Sequence, residues 1–257
     1  MKKIILLIAF SIIIAATAVS ASNLVSAVSP DAAKESVKEF MNNSKINLNL
    51  GDEISLPTGE FYIMGTNSEE FWGNKNSGVV ERATFYSEMS KKSDSVISKE
   101  KALEIASSYA KMHYKNFETM NMKLDFQEFH DTGIDNEFTF IWHDYQQDVE
   151  TTSCVLVTVN ANSGNIIEYA GMLRNVDVQL TPMVSNKKAI EIATNYFGVP
   201  QSDATPIQLR VINLDLTDQR LVWDVVIKGE PVDNIMHGGT IQIDAENGKI
   251  LRVFEWL

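Results

Sequence analysis

The stretch "NANSGNII", Asn160 to Ile167, has the composition of a tight hairpin turn between two strands. The same pattern returns as "DAENGKIL", Asp244 to Leu251, and as "NKNSGVVE", Asn74 to Glu81. Each copy has Asn or Asp, two variable residues, Ser or Asn, Gly, one variable residue and an aliphatic residue. Because glycine tolerates the left-handed backbone that such turns need, we predict positive φ angles at Gly164 and Gly248.

An amphipathic helix is predicted upstream of each turn. The three helical segments are "VSPDAAKESVKEFM" from Val28, "ISKEKALEIASSYA" from Ile97 and "VSNKKAIEIATNYF" from Val184. Ser29, Ser98 and Ser185 stand where N-cap residues belong, because a serine hydroxyl accepts hydrogen bonds from free N–H groups of the first turn. The apolar stripes of the second and third helices are Ala102, Ile105, Ala106, Tyr109 and Ala110, and Ala189, Ile192, Ala193, Tyr196 and Phe197. The first helix has Ser36 in its stripe and is the poorest of the three.

Between helix and turn the hydrophobic period changes to two. "LVWDVVI", from Leu221, and "FTFIW", from Phe138, alternate as half-buried antiparallel strands do. Trp142 and Trp223 occupy matching positions in these strands, and we predict that both are core anchors. The sequence therefore predicts an α+β protein of tandem repeats, each a helix packed on a small antiparallel β-sheet.

The repeats and the N-terminus divide the chain into four predicted segments. Residues 1–21 form a signal peptide, and residues 28–89 form a partial, degenerate unit. Residues 97–175 and 184–257 form two full units. The capping serine and the turn glycine are separated by 66 and 63 positions in the full units and by 49 positions in the partial unit.

The N-terminus has the order of a secretory signal: Lys2 and Lys3, an apolar run from Ile4, and small residues at the end. Cleavage near Ala18 or Ala21 is predicted, which places the mature chain outside the cell or in the cell envelope. An uncleaved signal anchor is the alternative. The mature chain contains no further segment apolar enough to span a membrane.

Charge and cysteine content narrow the range of partners. Removing Lys2 and Lys3 from the 22 basic residues leaves 20 against 34 acidic ones, a net charge of −14. Such a surface repels nucleic acid, so no nucleic-acid partner is predicted. Cys154 is the single cysteine and lies in the β-branched run "SCVLVTV", where a buried, inert thiol is predicted.

No catalytic, cofactor or metal site is predicted from local spacing. The four histidines are His113, His130, His143 and His237, and none has a second ligand at zinc-like spacing. The chain has no H-E-x-x-H motif and no G-x-S-x-G motif. "HGGT", His237 to Thr240, is interpreted as a flexible lead-in to the final strand, and "DAENGK" lacks most calcium ligands. The chain is therefore predicted not to be an enzyme.

The ordered set of features resembles the PepSY domain family. The features are the Ser-capped helix of "ISKEKALEIASSYA" or "VSNKKAIEIATNYF", a mid-domain strand with Trp142 or Trp223, and the closing "VNANSGNII" or "IDAENGKIL". The resemblance implies a helix on a small antiparallel sheet. It also implies membership of a family found in propeptides of secreted metallopeptidases and in free-standing exported modules. The resemblance suggests peptidase inhibition as a role. The family has no catalytic residues that could be assigned to positions of this sequence.

Two functional hypotheses follow. The first is a secreted, non-enzymatic protein-binding module, in its specific form a modulator of a secreted peptidase acting in trans, because no peptidase domain follows in this sequence. The second is a structural or sensory module of the cell envelope without a peptidase partner. The polar segment His143–Thr152 is predicted to form a hairpin tip or an exposed edge. This segment and the loop Lys228–Gly239 are the predicted partner-binding loops, since loops on a rigid scaffold carry most binding residues. Pairing of an extended segment with a sheet edge is a further route.

Overall fold

The computed structural model describes residues 27–86, 95–131, 136–232 and 235–256. The predicted signal peptide lies outside these residues. Along the chain, one helix followed by four strands occurs three times. The helices are α1 (Pro30–Phe40), α2 (Lys99–His113) and α3 (Asn186–Phe197), with a short 3₁₀ turn at Gln201–Asp203. The strands are β1 (Asn49–Leu56), β2 (Gly59–Gly65), β3 (Glu69–Asn74), β4 (Val80–Phe85), β5 (Met122–Asp131), β6 (Asn136–Gln146), β7 (Val149–Asn160), β8 (Ile166–Met172), β9 (Ala204–Asn213), β10 (Gln219–Val232), β11 (Ile235–Asp244) and β12 (Ile250–Trp256). We refer to α1–β4, α2–β8 and α3–β12 as units 1, 2 and 3.

Each helix begins at the serine that the sequence indicates. The hydroxyls of Ser29, Ser98 and Ser185 accept hydrogen bonds of 3.2, 3.2 and 3.3 Å from the backbone N–H three residues on. All three serines have extended backbone angles, as N-caps do. The helix faces against the sheet are formed by small residues with no exposed surface, which allows close helix–sheet contact: Ala33, Val37, Ala102, Ala106, Ala110, Ala189 and Ala193.

The three turns share one hydrogen-bond geometry. In the second turn, Asn160 Oδ1 accepts from the N–H groups of Asn162 and Ser163, at 2.8 and 3.0 Å. The Gly164 N–H donates to the Asn160 carbonyl at 2.8 Å. The turns that begin at Asn74 and Asp244 repeat every one of these bonds. The glycines have φ angles of 74°, 77° and 80° along the chain, so the prediction of positive φ for Gly164 and Gly248 is confirmed.

The turn also positions the helix of its own unit. The residue before each capping serine donates its N–H to the carbonyl of the second turn residue: Val28 to Lys75, Ile97 to Ala161 and Val184 to Ala245, at 2.7, 2.7 and 2.8 Å. A side chain added at the turn glycine of unit 2 or unit 3 would contact Ile105 or Ile192 of the helix. In unit 1 the matching helix residue is Ser36, and the space at the glycine is larger. The turn therefore defines geometry in all three units.

The strands form one sheet of twelve strands. The order is β1-β2-β3-β4-β8-β7-β9-β10-β11-β12, and β6 pairs with both β5 and β7. Unit 1 joins unit 2 through antiparallel pairing of β4 with β8. Unit 2 joins unit 3 through one parallel bridge, between Glu150 and Arg210. The predicted α+β class is confirmed, but the separate small sheets of the prediction are joined, because exposed strand edges of neighbouring units pair with each other.

Three hydrophobic clusters stabilise this sheet. The largest spans units 1 and 2 and contains Trp142, which is 6% exposed, so its predicted core position is confirmed. The second lies inside unit 3 under α3. The third joins units 2 and 3 around Val149 and Val211. Trp223 is half-buried between the second and third clusters, and its indole N–H donates to the Val184 carbonyl at 2.8 Å.

Candidate functional site

A polar cluster lies where unit 2 meets unit 3. Its position follows from the single bridge between β7 and β9, which places side chains of β5, β6, β7, β9 and β10 next to one another. Its members, which we call the junction cluster, are Asp125, His143, Tyr145, Glu150, Gln208, Arg210 and Asp224.

The β6–β7 hairpin forms one wall of the junction cluster. Gln147 and Asp148 form its two-residue tip, and both have positive φ angles, 51° and 63°. The hairpin tip predicted within His143–Thr152 is confirmed, but the predicted exposure is wrong for most of its residues. Asp144, Glu150 and Thr151 are only 3%, 4% and 2% exposed. The reason is that strand pairing continues to the tip and unit 3 packs against the hairpin, so its polar groups bond to one another.

Glu150 and Arg210 form the central ion pair of the cluster. Arg210 Nη2 lies 2.8 Å from Glu150 Oε1, and Nη1 lies 3.0 Å from Asp224 Oδ2. Burial by itself lowers the pKa of Arg210, but the two carboxylates more than compensate and raise its pKa above the usual value. Gln208 donates to the second Glu150 oxygen. Removing one partner of such a buried pair costs about 3–5 kcal/mol, because it leaves a charge without a counterion.

His143 lies between two carboxylates. Its Nδ1 is 3.0 Å from Asp125 Oδ2, and its Nε2 is 3.9 Å from Glu150 Oε1. The Tyr145 hydroxyl donates to the same Asp125 oxygen at 3.0 Å. Burial, followed by the charges of Glu150 and Asp125, raises the pKa of Tyr145. One ligand atom from each of Asp125, His143 and Glu150 lies within 4.8 Å of the other two, so these three residues could hold a cation.

A second buried ion pair lies between units 1 and 2. Arg174 binds both oxygens of Glu81, at 2.8 and 2.6 Å, and donates to the Thr58 carbonyl. Asn74 donates to Glu81 Oε1 at 2.9 Å. Burial raises the pKa of Glu81, and the opposing effects of Arg174 and Asn74 are smaller. Each joint between units therefore contains an arginine paired with a buried glutamate.

The second predicted loop is also part of a hairpin. Lys228–Val232 and Ile235–Gly239 continue β10 and β11, with residues 233 and 234 outside the described part. The prediction of a loop at Lys228–Gly239 is therefore wrong for the described backbone. A Cβ on Gly239 would lie 2.4 Å from the Phe254 carbonyl oxygen, so this glycine of "HGGT" allows β12 to approach.

The remaining candidate side chains are buried, packed against other side chains or used in turns. Burial, followed by the charge of Glu150, raises the pKa of Cys154 to about 12, which agrees with an inert thiol. His113 packs against the rings of Phe40 and Tyr109, and burial lowers its pKa. Asp244 of "DAENGK" uses Oδ1 for its own turn.

Sequence reasoning missed the junction cluster. Its members are separated by up to 99 residues, from Asp125 to Asp224, and they meet only through the pairing of β7 with β9. One indication was present: Arg210 and Asp224 interrupt the apolar strands "LRVIN" and "LVWDVVI". A charge inside such a strand needs a partner of opposite sign, which predicts an ion pair without identifying Glu150.

In the described part of the chain, no helix has the length and apolar character needed to cross a membrane.

Comparison with known proteins adds a family and a fold. Residues 184–254 match the model of the PepSY family, described as "Peptidase propeptide and YPEB domain". The resemblance that the sequence indicates is thus confirmed over unit 3. Among solved structures, the C-terminal domain of YpeB from Bacillus megaterium is similar, at 18% identity and a TM-score of 0.48. The match covers 90% of this chain and 99% of that one. None of the curated proteins matches this chain.

Proposed function

We propose that this chain is an exported, non-enzymatic protein-binding module that modulates a secreted peptidase in trans. Its body consists of three copies of one PepSY-like unit, at residues 28–89, 97–175 and 184–257. The repeated capping serines, turn bonds and helix–turn contacts support three copies of one design. The family match over residues 184–254 supports the assignment of this unit as PepSY-like.

The observation that carries the binding proposal is the open edge of β5. Among the described strands, β5 pairs only with β6, so its other edge is left without a strand partner. This edge is ten residues long and includes Phe129, which is 46% exposed. An extended peptide can add to such an edge through backbone hydrogen bonds, with alternate side chains giving specificity. Asp125, Glu128 and Asp131 on β5 favour a basic segment over an acidic one.

The chemistry of the described side chains supports a binding role over a catalytic one. A nucleophilic thiol needs a lowered pKa, whereas that of Cys154 is raised. A histidine base needs a free ring nitrogen aimed at a nucleophile, whereas His143 lies between two carboxylates. Neither Cys154 nor His143 therefore has the surroundings of a nucleophile activated by a base.

The test measures binding to peptidases and residual peptidase activity. Mature protein is incubated with the secreted metallopeptidases of its own source, and complexes are quantified. We expect Phe129→Lys on β5 to weaken binding, because it removes the exposed ring and adds a positive charge at the contact. The matched control is Phe254→Lys on the open edge strand β12, where the ring is 48% exposed; it should leave binding unchanged.

Three outcomes decide the proposal. Binding that weakens only with Phe129→Lys supports the β5 edge, and equal weakening in both variants contradicts the choice of edge. Binding to a peptidase without any change in the activity of that peptidase would contradict the modulating role, but it would still support a protein-binding module. If no secreted peptidase binds even at micromolar concentration, the second hypothesis replaces the first, and the chain is a structural or sensory module of the cell envelope.

A further inference from the structure

The junction cluster contains a set of ligands that the ion pair between units 2 and 3 does not fully use. Asp125 comes from β5, His143 from β6 and Glu150 from β7, so three adjacent strands each contribute one group. All three strands belong to a paired sheet, which fixes their backbones. Groups on rigid elements are better placed to form a site than groups on loops.

The distances suit a metal ion of ordinary size. A tetrahedral zinc site with bonds of about 2.1 Å separates its ligand atoms by roughly 3.4 Å. Here Asp125 Oδ2 lies 3.0 Å from His143 Nδ1, and Glu150 Oε1 lies 3.9 Å from His143 Nε2. The two carboxylates lie nearest different nitrogens of the ring, yet one ring nitrogen and one oxygen of each carboxylate lie within 4.8 Å of one another, so metal binding requires both carboxylates to turn toward that nitrogen. Gln208 and the Tyr145 hydroxyl, hydrogen-bonded to Glu150 and Asp125, would hold the carboxylates in place.

Glu150 is the group that favours a cation here. Its side chain is 5% exposed. Oε1 accepts no well-aligned hydrogen bond from the described residues, although Arg210 Nη2 lies 2.8 Å away. A buried carboxylate oxygen that lacks a good donor is unfavourable in a protein interior. Arg210 already offsets part of the Glu150 charge, and a metal ion near His143 would give Oε1 a second cationic contact.

Arg210 is the competing cation, and the charge balance leaves room for a second one. Asp125, Glu150 and Asp224 contribute three negative charges, against one positive charge on Arg210, a formal balance of −2. Arg210 also binds Asp224, so it is not committed to Glu150 alone. At the rim, Lys123 pairs with Asp148, and these two charges cancel. A divalent ion would neutralise the rest.

We propose that Asp125, His143 and Glu150 form a binding site for a divalent transition metal, with Zn²⁺ as its representative. An imidazole together with two carboxylates suits zinc and similar ions and disfavours Mg²⁺ and Ca²⁺, which select oxygen ligands. Three protein ligands leave a fourth position for water. Because Glu150 also contacts Arg210 and Gln208 of β9, the bound ion stiffens the joint between units 2 and 3. This inference does not depend on the proposed peptidase partner.

The experiment is a calorimetric titration of the chelator-treated full mature chain with zinc chloride. Magnesium and calcium chloride serve as comparison probes. We expect one zinc ion per chain, and His143→Ala should lower the zinc affinity by at least about tenfold. Asp125→Asn removes a surface carboxylate and should also lower the zinc affinity. The matched control is His130→Ala, because His130 also lies beside a carboxylate, at 3.5 Å from Glu128, yet belongs to no group of three ligand residues among the described residues.

The outcomes separate the site from surface binding. Circular dichroism first establishes that each variant retains the fold. Loss of zinc affinity in His143→Ala and Asp125→Asn, with His130→Ala unchanged, supports the site. Equal affinity in all four proteins, or no zinc binding by the wild-type chain even at zinc well above the protein concentration, overturns it. Equal binding of magnesium would overturn the assignment to a transition metal.

Discussion

Replacing Gly248 with alanine tests whether the recurrent turn positions its helix. Gly248 has a φ of 80°, and an added Cβ would lie 3.2 Å from Cδ1 of Ile192 on α3. The matched control is Gly198→Ala at the end of α3, where φ is 68° and the added Cβ meets nothing within 4 Å. Both substitutions impose the same left-handed backbone strain. Only Gly248→Ala also forces the turn and the helix apart.

The magnitudes of the two effects differ enough to measure. Left-handed strain costs about 1–2 kcal/mol for a residue with a Cβ. The loss of unfolded-state entropy returns about 0.4–1 kcal/mol. Gly198→Ala should therefore lower the free energy of unfolding by about 1 kcal/mol. Overpacking against Ile192 adds about 1–3 kcal/mol, so Gly248→Ala should cost about 2–4 kcal/mol in total.

Urea denaturation followed by tryptophan fluorescence measures both values. A double variant that adds Ile192→Val identifies the cause, because the shorter side chain removes the contacted atom. We expect the double variant to recover about 1 kcal/mol beyond the additive expectation. Equal losses in Gly248→Ala and Gly198→Ala, or strict additivity in the double variant, would refute the claim that the turn packs on the helix.

Three further predictions concern other parts of the chain. Trp223→Ala should cost about 3 kcal/mol in a denaturation series because the ring fills two clusters. Trp223→Phe should cost about 1 kcal/mol, because Phe keeps an aromatic ring but loses the bond to Val184. A neutral Trp223→Ala would place the ring outside the core. Burial raises the pKa of Glu81, so the folded chain holds that proton more tightly than the unfolded chain. The resulting contribution to stability is present at low pH and decreases as the pH rises through the folded pKa, and Glu81→Gln should remove this part of the pH dependence; an unchanged stability–pH curve would contradict it. Cys154, with a pKa of about 12, should resist iodoacetamide at pH 8 until urea unfolds the chain, whereas rapid alkylation of the folded chain would contradict the inert thiol.

The features that the sequence predicted correctly are set by nearby residues. Ser98 caps α2 through a residue three positions away, and Asn160 forms its turn with residues two to four positions away. Hydrophobic period and turn composition are sufficient for such features. The same holds for the alternating strand that buries Trp142.

The features that it missed depend on strand register between units. The β6–β7 hairpin has a register shift between His143 and Tyr145, so simple alternation does not show which polar residues face unit 3. The polar neighbours of Glu150 predict a hairpin tip or an exposed edge. Its burial follows from the bridge to Arg210, 60 residues away, which no local pattern encodes.

The two arginine–glutamate pairs explain why three small units form one sheet with fixed open edges. A buried ion pair adds little net stability compared with an apolar pair, but a shifted register that separates its charges is costly. At the joint between units 2 and 3, one backbone bridge fixes almost no register by itself, so we expect the Glu150–Arg210 pair to select the alignment of β7 on β9. The Glu81–Arg174 pair ties the end of β8 to unit 1 in the same way. Among the described strands, β5 pairs only with β6, and the peptide contact proposed for its outer edge lies beside the junction cluster.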